Sequence, residues 1–202
     1  MDKAISQRQE DVLTEIGNIG MGNAASSLSE LLKEQVRISV PSVDIVSLGD
    51  LPYHMGGAAD HVVGIYVPVH GDVYMHMIFI LPLKSASVIV LNITDGLAQE
   101  MDELGQSAIA EVGNIVVAGY VNAFAHLTDL RLLLQPPVLA IDITEAILGS
   151  VLAGIQIPED FVINIKASFE TGSSKAEGYL CMIPAEDSFP SVYEALLEGL
   201  GD

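Results

Sequence analysis

Two short stretches of the chain combine a carboxylate with a carboxamide at the same spacing. Asp-Val-Leu-Thr-Glu-Ile-Gly-Asn occupies residues 11–18, and Ser-Ala-Ile-Ala-Glu-Val-Gly-Asn occupies residues 107–114. A glutamate can pair with a cation or transfer a proton, and an uncharged amide offers a donor and an acceptor that together can hold a water molecule. These residue types therefore suit the positioning of a water for attack, provided that the substrate supplies the remaining chemistry.

The two stretches belong to an internal duplication. A shift of 96 residues carries Glu15 onto Glu111 and Asn18 onto Asn114. The same shift relates four further pairs: Gly17 and Gly113, Ile19 and Ile115, Pro41 and Pro137, and Ile45 and Ile141. A single register that links six pairs over some thirty residues indicates that the chain contains two copies of one structural unit.

The spacing predicts that each copy lies on a helix. Asp11, Glu15 and Asn18 stand at positions i, i+4 and i+7, so Glu15 and Asn18 both fall within about 40° of Asp11 around a helix. The second copy has the same spacing. Apolar residues such as Val12 and Ile16 form an adjoining stripe. Each helix is therefore predicted to carry a polar row beside a buried side.

The asparagines also allow a purely structural interpretation. Asn is a poor residue for a helix interior, because its side chain competes for backbone hydrogen bonds. From the residues alone, Asn18 and Asn114 could be buried structural residues, or could form a polar contact between two helices related by a pseudo-two-fold axis. Glu15 and Glu111 could equally form a carboxylate pair, since the sequence does not fix their distance.

The full pattern joins an Asp or Ser, a Glu, an Asn and, after 22 intervening residues, a Pro. The first copy consists of Asp11, Glu15, Asn18 and Pro41, and the second of Ser107, Glu111, Asn114 and Pro137. This pattern resembles that of the CheC/CheX/FliY family of phosphatases, which act on the phosphorylated chemotaxis response regulator CheY. Two copies within 202 residues are similar to the CheC-type members, since CheX-like members carry one site and FliY-like members add a flagellar-switch domain.

The resemblance implies a catalytic role for the Glu and Asn residues. Asn18 and Asn114 would orient the attacking water, as a Gln does in the GTPase template. Glu15 and Glu111 would pair with the active-site lysine of the receiver domain and so dock the helix. The receiver would supply its own Mg²⁺, so we expect this chain to need no cofactor of its own.

The resemblance also implies roles for the other motif residues and a second partner. Asp11 and Ser107 would position the helix or contact the partner, and Pro41 and Pro137 would shape the site from the adjoining strand. CheC-like proteins also bind and restrain the receptor deamidase CheD. Two alternatives stay open: a non-catalytic adaptor of CheD and phosphorylated CheY, and a structural module related to the flagellar switch, although that class generally lacks the Glu and Asn pattern.

Charge and composition exclude several classes of function. The chain has 27 acidic residues against 8 Lys and Arg, which gives a net charge of −19. Nucleic acids and anionic membranes are bound through Lys and Arg, so neither partner is expected. The acidic surface could steer a basic patch of a partner protein, or could simply keep the protein soluble.

Cysteine, histidine and the N-terminal sequence point to a cytoplasmic protein without a metal site. The single Cys181 lies in an apolar run and is predicted to pack as a small hydrophobic residue. The five histidines form no His-x3-His or His-Glu-x2-His set, so no metal site is predicted. No basic segment followed by an apolar one opens the chain, so we expect no secretory signal. The uncharged run from Val112 to Thr128, just before Asp129, is interpreted as a core helix.

The predicted elements repeat the order α-β-β-β-α. The first half has a helix over 8–33, a strand over 36–48 with Pro41 at an edge or bulge, a loop over 49–60, a hairpin turning at His70–Gly71 and a helix over 84–94. The second half has a helix over 101–127, a strand over 131–143, a short helix capped by Thr144 and reaching Ile155, a hairpin over 159–183 turning at 171–174, and a last helix from Ser188.

This order predicts an α+β fold with an internal duplication. We expect one domain over residues 1–202, with one repeat over about 8–95 and the other over about 101–200. The sheet should be largely antiparallel, with the two long helices packed on it and related by a pseudo-two-fold axis. Gly17, Gly20 and Gly22 weaken the first long helix and suggest that another backbone approaches it closely. A monomer is expected, because the duplication supplies a two-fold arrangement within one chain.

Overall fold

The computed structural model describes residues 7–98, 101–155, 161–172 and 174–198. The helices of this part of the chain are α1 (Gln7–Leu32), α2 (Leu51–His54), α3 (Leu83–Ile93), α4 (Glu103–Thr128), α5 (Thr144–Leu152) and α6 (Phe189–Glu198). The strands are β1 (Val36–Ser47), β2 (His61–Gly71), β3 (Met75–Pro82), β4 (Leu132–Leu134), β5 (Val138–Ile143), β6 (Phe161–Thr171) and β7 (Ser174–Pro184).

The strands of the described residues form one antiparallel sheet in the order β1-β6-β7-β3-β2-β4, and β5 pairs with β2 next to β4. This confirms the predicted α+β class with a largely antiparallel sheet. Strand β1 pairs with β6, and β5 pairs with β2. Each half of the chain therefore places its outer strand against the hairpin of the other half. The limits of the two repeats stay a prediction.

Alternation along β2 creates two separate cores, because successive side chains of a strand point to opposite faces of the sheet. Ile65 lies in the larger core with α1, α3, α4 and α6, and the neighbouring Gly64 faces Ile147 of α5. The smaller core lies under α2 and α5 and includes Ile78 and Cys181. Cys181 is fully buried, which confirms its predicted packing role.

The two long helices touch backbone to backbone. A Cβ atom placed on Gly20 would lie 2.6 Å from the Tyr120 Cα atom, and one placed on Gly119 would lie 2.5 Å from the Gly20 carbonyl oxygen. Further along α1, Leu28 lines a small cavity together with Val112 of α4. Later residues of α1 thus meet earlier residues of α4, so the two helices run antiparallel. Of the three glycines singled out in α1, Gly20 makes the helix contact.

The prolines interrupt the outer strands. Strand β1 lies at the edge of the sheet, and its register against β6 shifts between Ser39 and Ser42, so the predicted edge position and bulge at Pro41 are both confirmed. The predicted single strand over 131–143 is wrong. It is split into β4 and β5 by Pro136 and Pro137, which cannot donate a ladder hydrogen bond.

Local predictions fail at three connections. The predicted loop over 49–60 contains the single turn α2, with Pro52 near its start. The turn predicted at His70–Gly71 lies further on, since β2 runs through Gly71. Thr144 does not cap α5: it is the first helical residue, and its buried hydroxyl donates to the Asp60 carbonyl oxygen at 3.3 Å. The helix ends at Leu152, before Ile155.

Three predicted positions lie outside the described residues: the start of the second hairpin at Glu159, its turn residue Ser173 and the end of the second repeat near residue 200.

Helix α4 is long and apolar enough to cross a membrane by length and composition alone. However, 56% of its most apolar 18-residue window is buried inside the protein. It packs against α1 and the sheet, as a core helix does.

The crossing contact predicts opposite effects for two glycines of one helix. Gly20→Ala should lower the free energy of unfolding by about 1–3 kcal/mol, because the new methyl group collides with the α4 backbone. Gly22→Ala should raise it by up to about 1 kcal/mol through helix propensity, since no atom lies within 4 Å of its Cβ position. Urea unfolding of both variants measures the two changes. Equal changes in both variants would refute the contact.

Candidate functional site

The first motif lies on the solvent side of α1. Asp11, Glu15 and Asn18 are all exposed, and Val12 and Ile16 are fully buried on the other side of the helix. The rise between Glu15 and Asn18 is roughly 4.5 Å, so one partner can contact both side chains at once. The predicted polar row beside a buried side is therefore present. The exposure of Asn18 argues against a buried structural role for this residue.

The second motif occupies the same kind of position on α4. Ser107 and Glu111 are exposed, and Val112 and Gly113 are buried. Asn114 differs from its counterpart in the first copy, because it is half-buried. The two copies thus present the same functional groups with different access to the amide.

The glycine inside each motif sets the rotation of its helix. The Cβ position of Gly17 lies 3.5 Å from Val40 of β1, and that of Gly113 lies against the Cδ1 atom of Ile65 of β2. In both copies the glycine that directly precedes Asn is packed against the sheet. Since Glu stands two residues before this glycine and Asn one residue after it, both polar side chains are turned away from the sheet.

The Glu and Asn side chains of the motifs are left available for a partner. Among the described residues, Glu15, Asn18, Glu111 and Asn114 make no side-chain hydrogen bond or ion pair. The ion pairs Lys166–Glu177 and Lys175–Glu170 belong to the β6–β7 hairpin, away from both motifs. A carboxylate without a local cation, one turn from an amide without a local partner, is suited to receiving groups from another molecule.

The remaining predicted site residues differ between the two copies in how they lie relative to the motif. Asp11 is exposed, and the Ser107 hydroxyl donates to the Glu103 carbonyl oxygen of its own helix at 2.9 Å. Pro41 is exposed in the β1 bulge, directly after the valine that packs on Gly17, so it lies beside the first motif. Pro137 is exposed between β4 and β5. The strand contact to the second motif comes from β2 instead.

The antiparallel crossing separates the two motifs. Glu15 lies five residues before Gly20, and Glu111 lies eight residues before Gly119, on the opposite side of the crossing. The combined helical rise is roughly 20 Å. The two carboxylates therefore cannot share a proton, which removes the carboxylate-pair interpretation and leaves two separate sites. Within the described residues, no group of three or more His, Cys, Asp and Glu residues could hold a metal ion.

Comparisons with known proteins agree with the motif. The model of the CheC-like family matches residues 9–45 and 104–141, the two segments that contain the motifs and their prolines. The protein named CheY-P phosphatase CheC of Bacillus subtilis (strain 168) is 30% identical over 199 residues, which cover 95% of each chain.

This chain belongs to the CheC-like family.

Two further similarities extend this result. The protein named putative CheY-P phosphatase CheC1 of Halobacterium salinarum is 24% identical over 140 residues, which cover 68% of this chain and 71% of that protein. The crystal structure of Thermotoga maritima FliY matches with a TM-score of 0.77 and 23% identity, covering 97% of this chain and 99% of the other. The FliY likeness shows that the two chains share a fold across their whole length.

One polar feature was missed from the sequence. His70 and His76 stand six residues apart in the sequence. In the structure the His76 Nδ1 atom lies 2.8 Å from the Tyr66 hydroxyl, and His70 lies against Tyr74. The pairing of Tyr66 with His76 could not be read from the sequence, because it depends on the register between β2 and β3.

Exposure of the motif asparagine predicts that it can be removed without harm to the fold. Asn18→Ala should leave the free energy of unfolding unchanged or raise it by about 0.5 kcal/mol, because Ala is the better helix former and no contact is lost. Ile16→Ala, on the buried side of the same turn, should lower it by about 2–5 kcal/mol. Chemical denaturation compares the two variants. A loss of more than 1 kcal/mol for Asn18→Ala would restore the structural interpretation.

Proposed function

We propose that this protein is a phosphatase that accelerates hydrolysis of the phosphoaspartate of a phosphorylated CheY-type response regulator. The observation that carries the proposal is the duplicated pair of an unpaired Glu and an unpaired Asn on the outer sides of α1 and α4, of which only Asn114 is half-buried. The similarity to the Bacillus protein named CheY-P phosphatase CheC supports the same activity. The protein would then be a hydrolase of the cytoplasm, where such regulators act.

The asparagine amide positions the nucleophile. The carbonyl oxygen of Asn18 or Asn114 accepts a hydrogen bond from a water, which turns an oxygen lone pair toward the phosphorus atom. The water oxygen forms the new bond to phosphorus as the bond to the aspartate oxygen breaks. The aspartate leaves as a carboxylate, and both protons of the water stay with the phosphate, which is released as H2PO4−. The amide itself is too weak a nucleophile to form a covalent intermediate.

The glutamate holds the helix in the position that this geometry requires. The carboxylate of Glu15 or Glu111 pairs with the active-site lysine of the receiver, so the amide one turn later points at the phosphoryl group. Mg²⁺ belongs to the receiver, and its charge, with that of the lysine, stabilises the developing negative charge. The chain supplies position without a cofactor of its own. Asp11 and Ser107 begin the two motifs and contact the receiver, and Pro41 shapes the first site from β1. Pro137, between β4 and β5, serves as a further receiver contact at the second site.

The distribution of charge favours encounter with such a partner. The net charge of −19 attracts a basic surface and repels nucleic acid and anionic lipid. The long helices carry the motif residues as a rigid unit, so little conformational entropy is lost when the receiver binds. A single chain holds both sites, which is consistent with action as a monomer.

We propose in addition that the protein binds the receptor deamidase CheD. This second function is supported by membership of the CheC-like family, and it does not require turnover of phosphate. Binding of the phosphorylated regulator at the motifs could tune the affinity for CheD. In the adaptor alternative, this regulation is the main function and catalysis is slow.

The water-positioning role predicts a loss of turnover in asparagine variants. The double variant Asn18→Ala with Asn114→Ala should lose about 100-fold of the stimulated rate, because an unpositioned water attacks rarely. Each single variant should retain the activity of its intact site. Phosphate release from a phosphorylated CheY-type receiver in Mg²⁺ measures the rate. Asn23→Ala, an exposed asparagine of α1 outside the motif, is the matched control and should act as the parent protein.

The docking role predicts that glutamate variants and asparagine variants change different kinetic parameters in the same assay. Glu15→Gln with Glu111→Gln should raise the receiver concentration needed for half-maximal rate and change the maximal rate less.

Undiminished stimulation by the double asparagine variant would remove the two asparagines from the mechanism. No stimulation by the folded parent protein would favour the adaptor alternative.

The CheD proposal predicts a complex that can be captured. CheD should be retained by the immobilised protein in the presence or in the absence of phosphorylated regulator, and the amount retained should differ between the two conditions. The double asparagine variant is informative here, because it should still bind CheD while it no longer turns over the phosphorylated regulator. Lack of retention in both conditions would contradict this second function.

A further inference from the structure

A cavity of about 410 Å³ lies on the face of the sheet opposite the two motifs. It is bounded by α5 and by strands β2, β3 and β5. The two motifs lie on the face of the sheet where Ile65 of β2 packs on α4, whereas Gly64 of the same strand faces α5 on the other side. The catalytic proposal therefore does not involve this cavity. A volume of this size is in the range of small-molecule sites in proteins.

The cavity exists because small residues lie where the sheet and α5 meet. Ile147 seats the helix on Gly64, whose Cβ position lies only 2.7 Å from the Ile147 Cγ2 atom. Beyond this point the facing residues are Ala140 on β5 and Ser150 and Gly154 on the helix side. None of them is large enough to fill the space, and protein interiors normally leave few voids larger than a water.

The walls are mostly apolar and remain open to solvent. Val138 of β5 is 60% exposed, and Ala140 next to it is also exposed. Val151 of α5 is half-buried on the opposite wall. Apolar side chains arranged around a concave surface gain free energy when an apolar group covers them.

One side of the cavity carries a polar pair. The Tyr66 hydroxyl lies 2.8 Å from the His76 Nδ1 atom, and the two rings are stacked. Burial, with a smaller contribution from His70, lowers the pKa of His76, so its ring is neutral near pH 7. Burial raises the pKa of Tyr66, so its hydroxyl keeps its proton. Whichever ring atom carries the imidazole proton, the pair retains one free donor and one free acceptor.

The charge around the cavity selects against anions. Asp142 lines the wall and is exposed, and one of its carboxylate oxygens accepts a hydrogen bond from the Ile143 amide. No lysine or arginine is among the lining residues of the described chain. A carboxylate or phosphate ligand would therefore meet a negative charge with no cation to offset it.

We propose that this cavity is a binding site for a small, uncharged molecule with an apolar body and one hydroxyl or amide group. The apolar body lies between Val138, Ala140 and Val151. The head group exchanges hydrogen bonds with the Tyr66–His76 pair, which can serve one donor and one acceptor at once. The site acts independently of the phosphatase proposal, because it uses the other face of the sheet and none of the motif residues.

Three matched probes test the chemistry of the site: benzyl alcohol, toluene without the hydroxyl, and benzoate with a negative charge. Titrations of the ¹⁵N-labelled protein follow the backbone amide shifts. Benzyl alcohol should give saturable shifts confined to the residues around the cavity. Toluene should bind about fivefold more weakly, because one hydrogen bond is lost, and benzoate more weakly than either.

Variants of the lining distinguish this site from any other apolar surface. Ala140→Trp should fill the cavity and abolish saturable binding, and Ser150→Phe fills it from the helix side if the first variant does not fold. Tyr66→Phe should reduce the preference for benzyl alcohol over toluene, because one of the two polar groups of the pair is lost. Tyr53→Phe, an exposed tyrosine of α2 outside the cavity, is the matched control and should bind as the parent protein does.

The outcomes decide the proposal in both directions. Cavity-confined saturation that the filling variants abolish, with benzyl alcohol preferred, supports the site and its ligand class. If none of the three probes gives saturable shifts, or if the shifts spread over other surfaces, the proposed site is wrong. Benzoate binding as tightly as benzyl alcohol overturns the assigned ligand class.

Discussion

The close contact between the backbones of α1 and α4 is the constraint on which the arrangement of this protein depends. At Gly20 and Gly119 no side chain separates the two helices, so the crossing is closer than any pair of larger residues would permit. Both helices can then lie on the same face of one sheet and share one core. The buried sides are fixed by this contact and by the sheet below. The outward direction of the two polar rows follows from it, so a packing contact without chemistry of its own determines where the chemistry can occur.

Much of the fold could be predicted because periodicity reports which side of an element is buried. The predicted ends of α1, α3 and α4 lie within two residues of the ends in the structure, because the apolar positions of these helices recur at helical spacing over several turns. The exchange of outer strands between the two halves could not be predicted. Periodicity gives the faces of a strand and not the identity of its partner, and β1 could have paired within its own half. The predictions for the short connections were wrong because Thr144 and Pro52 are compatible with several local conformations.

The same distinction applies to the candidate site. The spacing of Glu and Asn was sufficient to predict one polar row beside a buried side on each helix, because that relation is local. The separation of the two motifs depends on an antiparallel crossing, and nothing in the spacing of Gly17, Gly20 and Gly22 shows which glycine meets another backbone. The cavity under α5 lay beyond sequence reasoning for a related reason. Its walls come from four elements, and its defining residues, such as Gly64 and Ala140, are notable for the side chains that they lack.

The exchange of strands between the halves has a consequence for the synthesis of the protein. Val36 at the start of β1 pairs with Thr171 at the end of β6, so 135 residues must be added before this part of the sheet can close. At a ribosomal rate of about 5–20 residues per second, β1 waits for roughly 7–27 s without its neighbour. Pairings of such long range also slow folding, because the intervening loop must be ordered first. The first half of the chain therefore leaves the ribosome as an unfinished sheet, and its edge is completed only when the last hairpin emerges.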